Sequence, residues 1–415
     1  MRIRQIIING SKIAGYQIKA VRMVSVTVKV RAGSWYESGN QKGYIHLLEH
    51  LMMTGTEKFS NLKEINDYKE NYGISFGATT FRDRMSFWFD FPDIYLKEAI
   101  YLIGQVLFHS KINFDNIKNE LSIIEQEYFG VLNNPYERFK TIVEKKMVGK
   151  NCNLASEVLG EPKSIRRATQ EDLRKIYKQY FQPQNMCWGI AGNFDWKQTA
   201  KLLRQIVPQT ANKNEKAEFV INDWKPSFGK IVYKSNKIDQ PYIRINWQLP
   251  SFEKFSLIKK FGIYLFDQML GHGSNSLIFT RIRQELGLTY SVGSDCWTWP
   301  NCSFLDIDVS TDTKKVDRAI YEIERVVDEF LTKEISQEKF KRTLRYMDLS
   351  TLISFSSPAK ISTRLARSLF YDKKVYTPKQ TIALAHKINI EKIQKWFRSN
   401  ISLEKRLVAI MMPEN

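Results

Sequence analysis

The stretch HLLEH, residues 46–50, places two histidines four positions apart with a glutamate beside the second. It lies in a segment, 43–53, whose apolar residues are spaced as in a helix. Because positions i and i+4 of a helix point the same way, His46 and His50 can offer two imidazole nitrogens to one metal ion. Glu49 lies beside them and can polarise a water molecule bound to that ion. Two unrelated histidines would form this pattern by chance in roughly one such chain in a few hundred.

A zinc ion at this pair needs a third protein ligand and an open position for water or substrate. The segment 119–139 contains a predicted helix that carries carboxylates at Glu120, Glu125 and Glu127. Glu120 and Glu127 are two helical turns apart and share a face, whereas Glu125 points elsewhere. Helix geometry therefore favours the pair at 120 and 127 without choosing between its members.

The order of strand and helix patterns predicts an α+β fold in two domains. At 415 residues, the chain is long enough to give each domain a sizeable core. Period-two strands such as 24–30 and amphipathic helices follow one another with few tight βαβ spacings, which disfavours a doubly wound sheet. Residues 207–224 turn polar and include a proline, so we predict a linker there, between domains at 1–206 and 225–415.

The second domain repeats the plan of the first without its metal-type residues. Aligning HLLEHLMMTG, residues 46–55, with YLFDQMLGHG, residues 264–273, pairs several apolar positions and the closing glycines. The two histidines then correspond to Tyr264 and Gln268. The alignment indicates a duplicated domain whose second copy lacks the site.

The composition and net charge of the chain limit the kinds of molecule that it is expected to bind. The net charge of +19 is compatible with nucleic acid, an anionic membrane or an acidic peptide, but the basic residues are dispersed, as on a generally solvated surface. The sequence has no recognisable nucleic-acid-binding motif and no apolar run long enough for a signal peptide or a membrane helix. Four cysteines at no metal-ligand spacing are interpreted as free thiols. We expect a cytoplasmic protein that binds neither nucleic acid nor membrane.

With its flanking residues, HLLEH resembles the motif of the pitrilysin or insulysin peptidases, the family that includes insulin-degrading enzyme and the mitochondrial processing peptidase. The resemblance spans nearly the whole chain. Its pieces follow in the family's order: GSWYE, GYIHLLEHLMMTGTEKFS, the Glu120 and Glu127 pair, LGEPKSI, TQEDLRKIYKQYFQPQNMCWGIAGNFD and RIRQELGLTYSV. It implies two homologous domains, each a mainly antiparallel sheet covered by helices, which together form half of a clamshell.

The resemblance also implies roles for particular residues. Glu127 becomes the third ligand of one zinc ion per chain, beside His46 and His50, and Glu120 a carboxylate behind the ligands that orients them. Glu125 becomes an exposed helix residue. In the second domain, Arg283 and Tyr290 match the family's Arg and Tyr that hold the substrate carbonyl.

One departure from the family lies on the strand where the substrate backbone docks. The family usually has Asn-Ala there, and this chain has Phe76, Gly77, Ala78 and Thr79. Gly77 keeps the close backbone approach that strand addition requires but deletes a side-chain contact. The remaining histidines, at 109, 272 and 386, have no ligand-like neighbours in the sequence, and we interpret them as structural.

The predicted function is a zinc-dependent endopeptidase that cleaves short or unfolded peptides, such as a leader segment. The positive charge favours acidic or neutral peptides over basic ones. Because the chain has two domains where double-length relatives have four, it should pair as a homodimer or a heterodimer. Arg283 and Tyr290 of one chain would then complete the zinc site of the other. The alternative is a non-catalytic subunit that binds peptide or scaffolds a complex.

Overall fold

The computed structural model describes residues 3–115, 117–209, 219–300 and 302–414. The chain folds into two compact units, each built around one sheet with helices on it. The first unit consists of Met1–Val131, Ser156–Val220 and Leu352–Pro378, and the second of Leu132–Ala155, Ile221–Thr351 and Lys379–Asn415. The predicted α+β class is confirmed.

The strands are β1 (Ile3–Ile8), β2 (Ser11–Gln17), β3 (Met23–Val30), β4 (Ser75–Thr80), β5 (Met85–Pro92), β6 (Met186–Gly192), β7 (Gly229–Ser235), β8 (Tyr242–Pro250), β9 (Val292–Trp299), β10 (Cys302–Ser310) and β11 (Arg406–Pro413). The α-helices are α1 (Tyr44–Met52), α2 (Leu62–Tyr72), α3 (Leu96–Phe108), α4 (Ile117–Asn133), α5 (Pro135–Val148), α6 (Pro162–Ile165), α7 (Gln170–Tyr180), α8 (Trp196–Ile206), α9 (Leu257–Gly271), α10 (Val316–Thr332), α11 (Gln337–Ile353), α12 (Pro358–Arg367), α13 (Pro378–Ala385) and α14 (Ile390–Asn400).

The first sheet has the strand order β1-β2-β6-β3-β5-β4. Its strands pair antiparallel except β2 with β6, so the predicted mainly antiparallel sheet is confirmed. At its centre, Val26 of β3 lies opposite both Phe89 and Ile190, and all three side chains are buried. The strand β4 forms one edge of the sheet.

The second sheet repeats this plan in the order β7-β11-β8-β10-β9, again with one parallel pair, β7 with β11. The edge strand β9 occupies the position that β4 has in the first sheet. On the helix side, Phe266 of α9 stacks on Phe330 and Phe397, with ring centroids 4.3 and 4.0 Å apart. The shared plan supports the predicted duplication.

Each unit includes one segment from the part of the sequence that otherwise forms the other unit. The helix α12 covers the face of the first sheet opposite the other helices, where Ile361 and Leu365 pack against Ala14 and Tyr16. In the second unit, α5 packs on β11. The prediction of two continuous domains, at 1–206 and 225–415, did not include α12 in the first unit or α5 in the second.

The crossing between Val220 and Ile221 falls inside the predicted linker at 207–224, of which residues 210–218 lie outside the described residues. Along the described ranges, none of the helices has both the length and the apolar character needed to cross a bilayer.

Candidate metal and catalytic site

The helix α1 is held at its first residue by a buried carboxylate. It begins after Gly43, which has the left-handed φ of 88° that glycine adopts without strain. The side chain of Glu37 accepts hydrogen bonds from the backbone N–H groups of Gly43 and Ile45, both at 2.8 Å. These bonds satisfy N–H groups that a helix leaves without intrahelical partners. The Glu37 side chain therefore fixes where the helix starts, two residues before His46.

Three metal-type side chains converge above α1. The Nε2 atom of His46 lies 3.6 Å from Oε2 of Glu127, and Nε2 of His50 lies 4.0 Å from the same oxygen. One donor atom from each residue lies within 4.8 Å of the other two. Donors of a tetrahedral zinc ion at about 2.0–2.1 Å would be about 3.4 Å apart, so this spacing fits such an ion. The structure thus brings together the three residues that the sequence analysis expected as ligands.

Glu120 sets the orientation of the second histidine. Its Oε2 lies 3.0 Å from Nδ1 of His50. When Nδ1 carries the proton and donates a hydrogen bond to this carboxylate, Nε2 presents its lone pair toward Glu127. This is the position expected for a carboxylate behind the ligands.

His46 is suited to the neutral form that a metal requires. Burial, together with the smaller effect of the adjacent His50, lowers the pKa of His46 to about 3. Its other ring nitrogen, Nδ1, is buried and has no hydrogen-bond partner among the described residues. A buried imidazole without a proton on the ligand side can donate its electron pair to a cation at once.

Glu49 is held by the edge strand. The Thr80 hydroxyl, at the end of β4, donates a short hydrogen bond to Oε2 of Glu49. Burial raises the pKa of Glu49, while the bond from Thr80 and the nearby His50 act in the opposite direction. The carboxylate therefore has a fixed orientation beside the metal-type cluster, which is what a proton acceptor at this position needs.

The helix that carries Glu127 is lightly packed. Ile124 is the one fully buried side chain among the described residues of α4. An ion pair supplements this contact, because Nε and Nη2 of Arg166 donate to the two oxygens of Glu125 at 2.6 and 2.9 Å. The expectation that Glu125 is simply an exposed helix residue is therefore wrong, since its side chain is 22% exposed and paired.

The predicted substrate strand is the edge strand β4. The ring of Phe76 stacks on Phe89 at 5.2 Å and is buried, and Ala78 packs against the same core. Gly77 and Thr79 alternate with them and face the opposite side of the sheet. A bound peptide would therefore meet Phe76 and Ala78 through their backbone.

Arg283 and Tyr290 lie in the second unit, close to each other. The guanidinium carbon of Arg283 is 4.5 Å from the centroid of the Tyr290 ring and 4.9 Å from that of Phe279. Tyr290 is 81% exposed. The two side chains stack as a pair with the phenol turned to solvent.

Each remaining histidine is bonded to a carboxylate: His109 to Glu57, His272 to Asp267 and His386 to Asp348. For His272, the absence of ligand-like neighbours is wrong, because Asp267 and Asp295 lie near enough to form a second metal-type group. Asp267 is already engaged, since it accepts hydrogen bonds from the Ser294 hydroxyl and the Cys296 N–H. The duplicated helix thus keeps a carboxylate bonded to its edge strand, at the position that aligns with Glu49.

Sequence reasoning missed three residues that shape the site: Glu37, Thr80 and Arg166. Glu37 closes the GSWYE segment, and Thr80 follows the predicted docking residues directly. Neither the spacing nor the residue type revealed these contacts. Thr80 and Arg166 reach partners on distant segments, and Glu37 reaches Gly43 and Ile45 across a short irregular stretch with no periodic pattern.

A duplicated α+β unit that carries an inverted His-x-x-Glu-His motif on the first helix of one copy defines the class of inverted-motif zinc peptidases. Residues 13–159 match the family model described as Insulinase (Peptidase family M16), and residues 167–347 match the model described as Peptidase M16 inactive domain. The chain therefore belongs to peptidase family M16, the pitrilysin family.

Relatives agree with this assignment. The chain is 24% identical over 338 residues to an uncharacterized zinc protease of Rickettsia bellii. The aligned region covers 80% of this chain and 79% of that protein. It is 26% identical over 232 residues to the beta subunit of the mitochondrial-processing peptidase of Dictyostelium discoideum. The aligned region covers 52% of this chain and 46% of that subunit.

A crystal structure described as a peptidase M16 inactive domain, from Pseudomonas fluorescens, shares the fold. Its TM-score is 0.87 at 17% identity, and the match covers 100% of this chain and 99% of that one. The periplasmic protease PqqL of Escherichia coli matches with a TM-score of 0.80 at 16% identity, and the match covers 99% of this chain and 47% of that protein.

Proposed function

We propose that the chain is a zinc-dependent endopeptidase that cleaves short or unfolded peptides. The proposal rests on the convergence of His46, His50 and Glu127 with Glu49 directly beside them. Zinc held by the two Nε2 atoms and the Glu127 carboxylate would supply a Lewis acid that polarises the substrate carbonyl and lowers the pKa of water. The protein's own side chains carry out the remaining steps.

Glu49 is the proton carrier in this proposal. Its carboxylate accepts a proton from the attacking water and passes it to the leaving amine when the peptide bond breaks. The hydrogen bond from Thr80 holds one carboxylate oxygen, so the other can face the water. Arg283 and Tyr290 donate hydrogen bonds to the carbonyl oxygen as negative charge develops on it.

The peptide adds to the free edge of β4 as a further strand, so backbone hydrogen bonds supply much of the affinity. The net charge of +19 favours acidic or neutral peptides, such as a leader segment removed from a precursor. The chain acts as a homodimer or a heterodimer with a related chain, in which Arg283 and Tyr290 are contributed across the pair.

Comparison of the wild type with Glu49→Gln tests the proposal. Both proteins are incubated with a peptide library, cleavage is measured by mass spectrometry and bound zinc by elemental analysis. The variant should keep its zinc, because Glu49 is not a ligand, and should lose at least about 10²-fold in rate. The matched control is Glu70→Gln, because Glu70 is an exposed glutamate on α2. This variant should cleave at the wild-type rate.

A second candidate is a non-catalytic subunit that binds peptide or scaffolds a peptidase complex. It is favoured by the match of residues 167–347 to a model described as an inactive domain. The same experiment decides, because a scaffold would cleave no peptide in either form. Cleavage by the Glu49→Gln protein at the wild-type rate would remove Glu49 from the mechanism.

A further inference from the structure

The edge strand β4 is overlaid by an indole ring from the next strand. Gly77 pairs directly with Trp88 of β5. A Cβ atom built on Gly77 would lie 2.8, 2.9 and 3.0 Å from Cζ2, Cε2 and Nε1 of that indole. Real Cβ contacts are not this short, so any side chain at position 77 would displace the ring. Gly77 has no left-handed φ, and its role here is to leave space.

The indole lies on the face of the sheet that the main helix layer does not cover. Phe87, Phe89 and Phe91 of β5 point into the core, so Trp88 between them points to the other side. On that side α12 packs on β2, β3 and β6. Trp88, further along the sheet, is 40% exposed. An aromatic face is therefore open to solvent beside the free edge of β4.

A peptide paired with the edge of β4 would connect this face with the site, because its side chains would point alternately to the Trp88 side and to the helix side, where the Thr80 side chain lies. Thr80, which is bonded to Glu49, is three residues along β4 from Gly77. Three residues of an extended strand span about 10 Å. A peptide strand added to β4 would lie about 4.8 Å from it, and every second peptide side chain would point to the Trp88 side. The peptide residue opposite Gly77 would meet no β4 side chain and would rest against the indole instead.

We propose that Trp88, with the space left by Gly77, forms the floor of a substrate subsite that takes a large apolar side chain about three residues from the cleaved bond. This inference rests on the proposed function, because it needs a peptide on β4. The ring offers a broad apolar surface, so phenylalanine, tryptophan, leucine and methionine side chains would bury more area on it than alanine or an acidic side chain.

The test is a peptide library randomised on both sides of the cleaved bond, with cleavage by wild type, Trp88→Ala, Trp88→Phe and Gly77→Asn measured by mass spectrometry. The wild type should prefer large apolar residues at one position about three residues from the cleaved bond. Trp88→Ala should reduce the ratio of kcat/KM for phenylalanine over alanine at that position about tenfold. Gly77→Asn should act in the same direction by displacing the ring, and Trp88→Phe should keep most of the preference.

Tyr101→Ala is the matched control, because Tyr101 is a similarly exposed aromatic residue, 37%, on the helix layer. It should leave the preference unchanged. An unchanged ratio in both Trp88→Ala and Gly77→Asn would overturn the subsite, as would a wild type indifferent to residue size at that position. A loss of stability with the ratio intact would assign Trp88 a purely structural role.

A binding measurement separates this inference from the proposed function. Peptides with phenylalanine or alanine at the tested position are titrated by fluorescence polarisation into the zinc-loaded Glu49→Gln protein, with and without Trp88→Ala. If the wild type cleaves nothing, the proposed function fails, and a phenylalanine preference that depends on Trp88 still supports the subsite. If the wild type cleaves but neither assay depends on Trp88, the subsite alone fails.

Discussion

Two glutamate side chains that are not metal ligands determine how α1 presents its histidines. Glu37 bonds the first N–H groups of the helix, and Glu120 bonds Nδ1 of His50. The first fixes the position of the helix and the second fixes the rotation of one ring. Both can be tested apart from catalysis, because stability and metal affinity are measurable without substrate.

Glu37 should make the stability of the protein depend on pH. Burial raises its pKa to about 8 from an ordinary value of 4.5, against the opposing effect of its amide donors. Between these values the folded protein keeps a proton that the unfolded chain has lost, so the free energy of unfolding falls as pH rises through this window. Relative to Glu37→Gln, the wild type should lose at least about 1 kcal/mol between pH 5 and pH 8.

Guanidinium denaturation of both proteins at pH 5, 6, 7 and 8 measures this difference. Glu70→Gln serves as the control and should follow the wild-type curve. Parallel pH profiles for the wild type and Glu37→Gln would show that Glu37 is ionised in both states across this range.

Glu120 should act on zinc affinity. Its replacement by alanine leaves Nδ1 of His50 without its acceptor, so the ring is free to rotate and the tautomer is no longer fixed. The expected loss is about 10–100-fold in zinc affinity, measured by competition with a chromophoric chelator. Glu70→Ala should bind zinc like the wild type. Equal affinity in Glu120→Ala would mean that His50 is oriented by packing alone.

At this scale the sequence predicted the groups whose spacing is local. His46, Glu49 and His50 share one helical turn, and Glu120 and Glu127 share a face of another helix, so periodicity was enough to group them. The resemblance then selected Glu127 as the ligand. Thr80 was not predicted because its partner Glu49 lies on another element, and Glu37 was not predicted because it reaches Gly43 and Ile45 across an irregular turn; neither contact leaves a periodic signal.

Among the secondary-structure elements, the helix α12 packs closely on the first sheet, whose strands lie far from it in the sequence. A Cβ on Gly189 of β6 would lie 1.9 Å from the carbonyl oxygen of Ser362 and 2.8 Å from the N atom of Ala366. The Thr27 and Ser362 hydroxyls are hydrogen-bonded at 2.9 Å. The backbone of the helix therefore rests directly on the strand.

Replacing Gly189 with alanine should destabilise the protein by about 1–3 kcal/mol, because the added methyl group must push the helix away. Gly130→Ala is the matched change, since Gly130 lies in α4 and a Cβ there meets nothing within 4 Å. That change should stabilise by about 0.5–1 kcal/mol through helix propensity. Chemical denaturation gives both values, and equal effects at the two positions would mean that α12 does not pack against β6 in solution.

The elements themselves followed from local patterns. The strand predicted at 24–30 forms as β3, the helical segment at 43–53 forms as α1, and the helix predicted within 119–139 forms as part of α4. The exchange of α5 and α12 between the units was not predictable, because the apolar face of an amphipathic helix does not indicate which sheet will cover it.

For the whole molecule, the proposed pairing of chains predicts a specific complementation. If Tyr290 acts across a dimer, a hybrid of Glu49→Gln and Tyr290→Phe chains has one site with both residues intact. Random assembly of an equal mixture makes half of the dimers hybrids with one complete site of two, so about a quarter of the wild-type activity should return. Peptide cleavage by each variant alone and by the mixture, after subunit exchange, measures this.

The control is a mixture of Glu49→Gln with Glu49→Gln,Tyr290→Phe, which contains no intact Glu49 and should stay inactive. No recovery in the test mixture, with dimers demonstrated by light scattering, would place Tyr290 in the same site as Glu49 of its own chain or outside the site altogether.

The contribution of α12 to the first sheet also has a consequence for biosynthesis. The last strand of that sheet ends at Gly192, whereas the cluster that covers Ala14 and Tyr16 includes Phe370. At about 5–20 residues per second, ribosomes leave this apolar face uncovered for roughly 10–35 s after the strands have been made. The unit that carries His46 and His50 is therefore completed long after its strands have been synthesised, and we expect chaperones that shield apolar strands to bind the nascent chain in that interval.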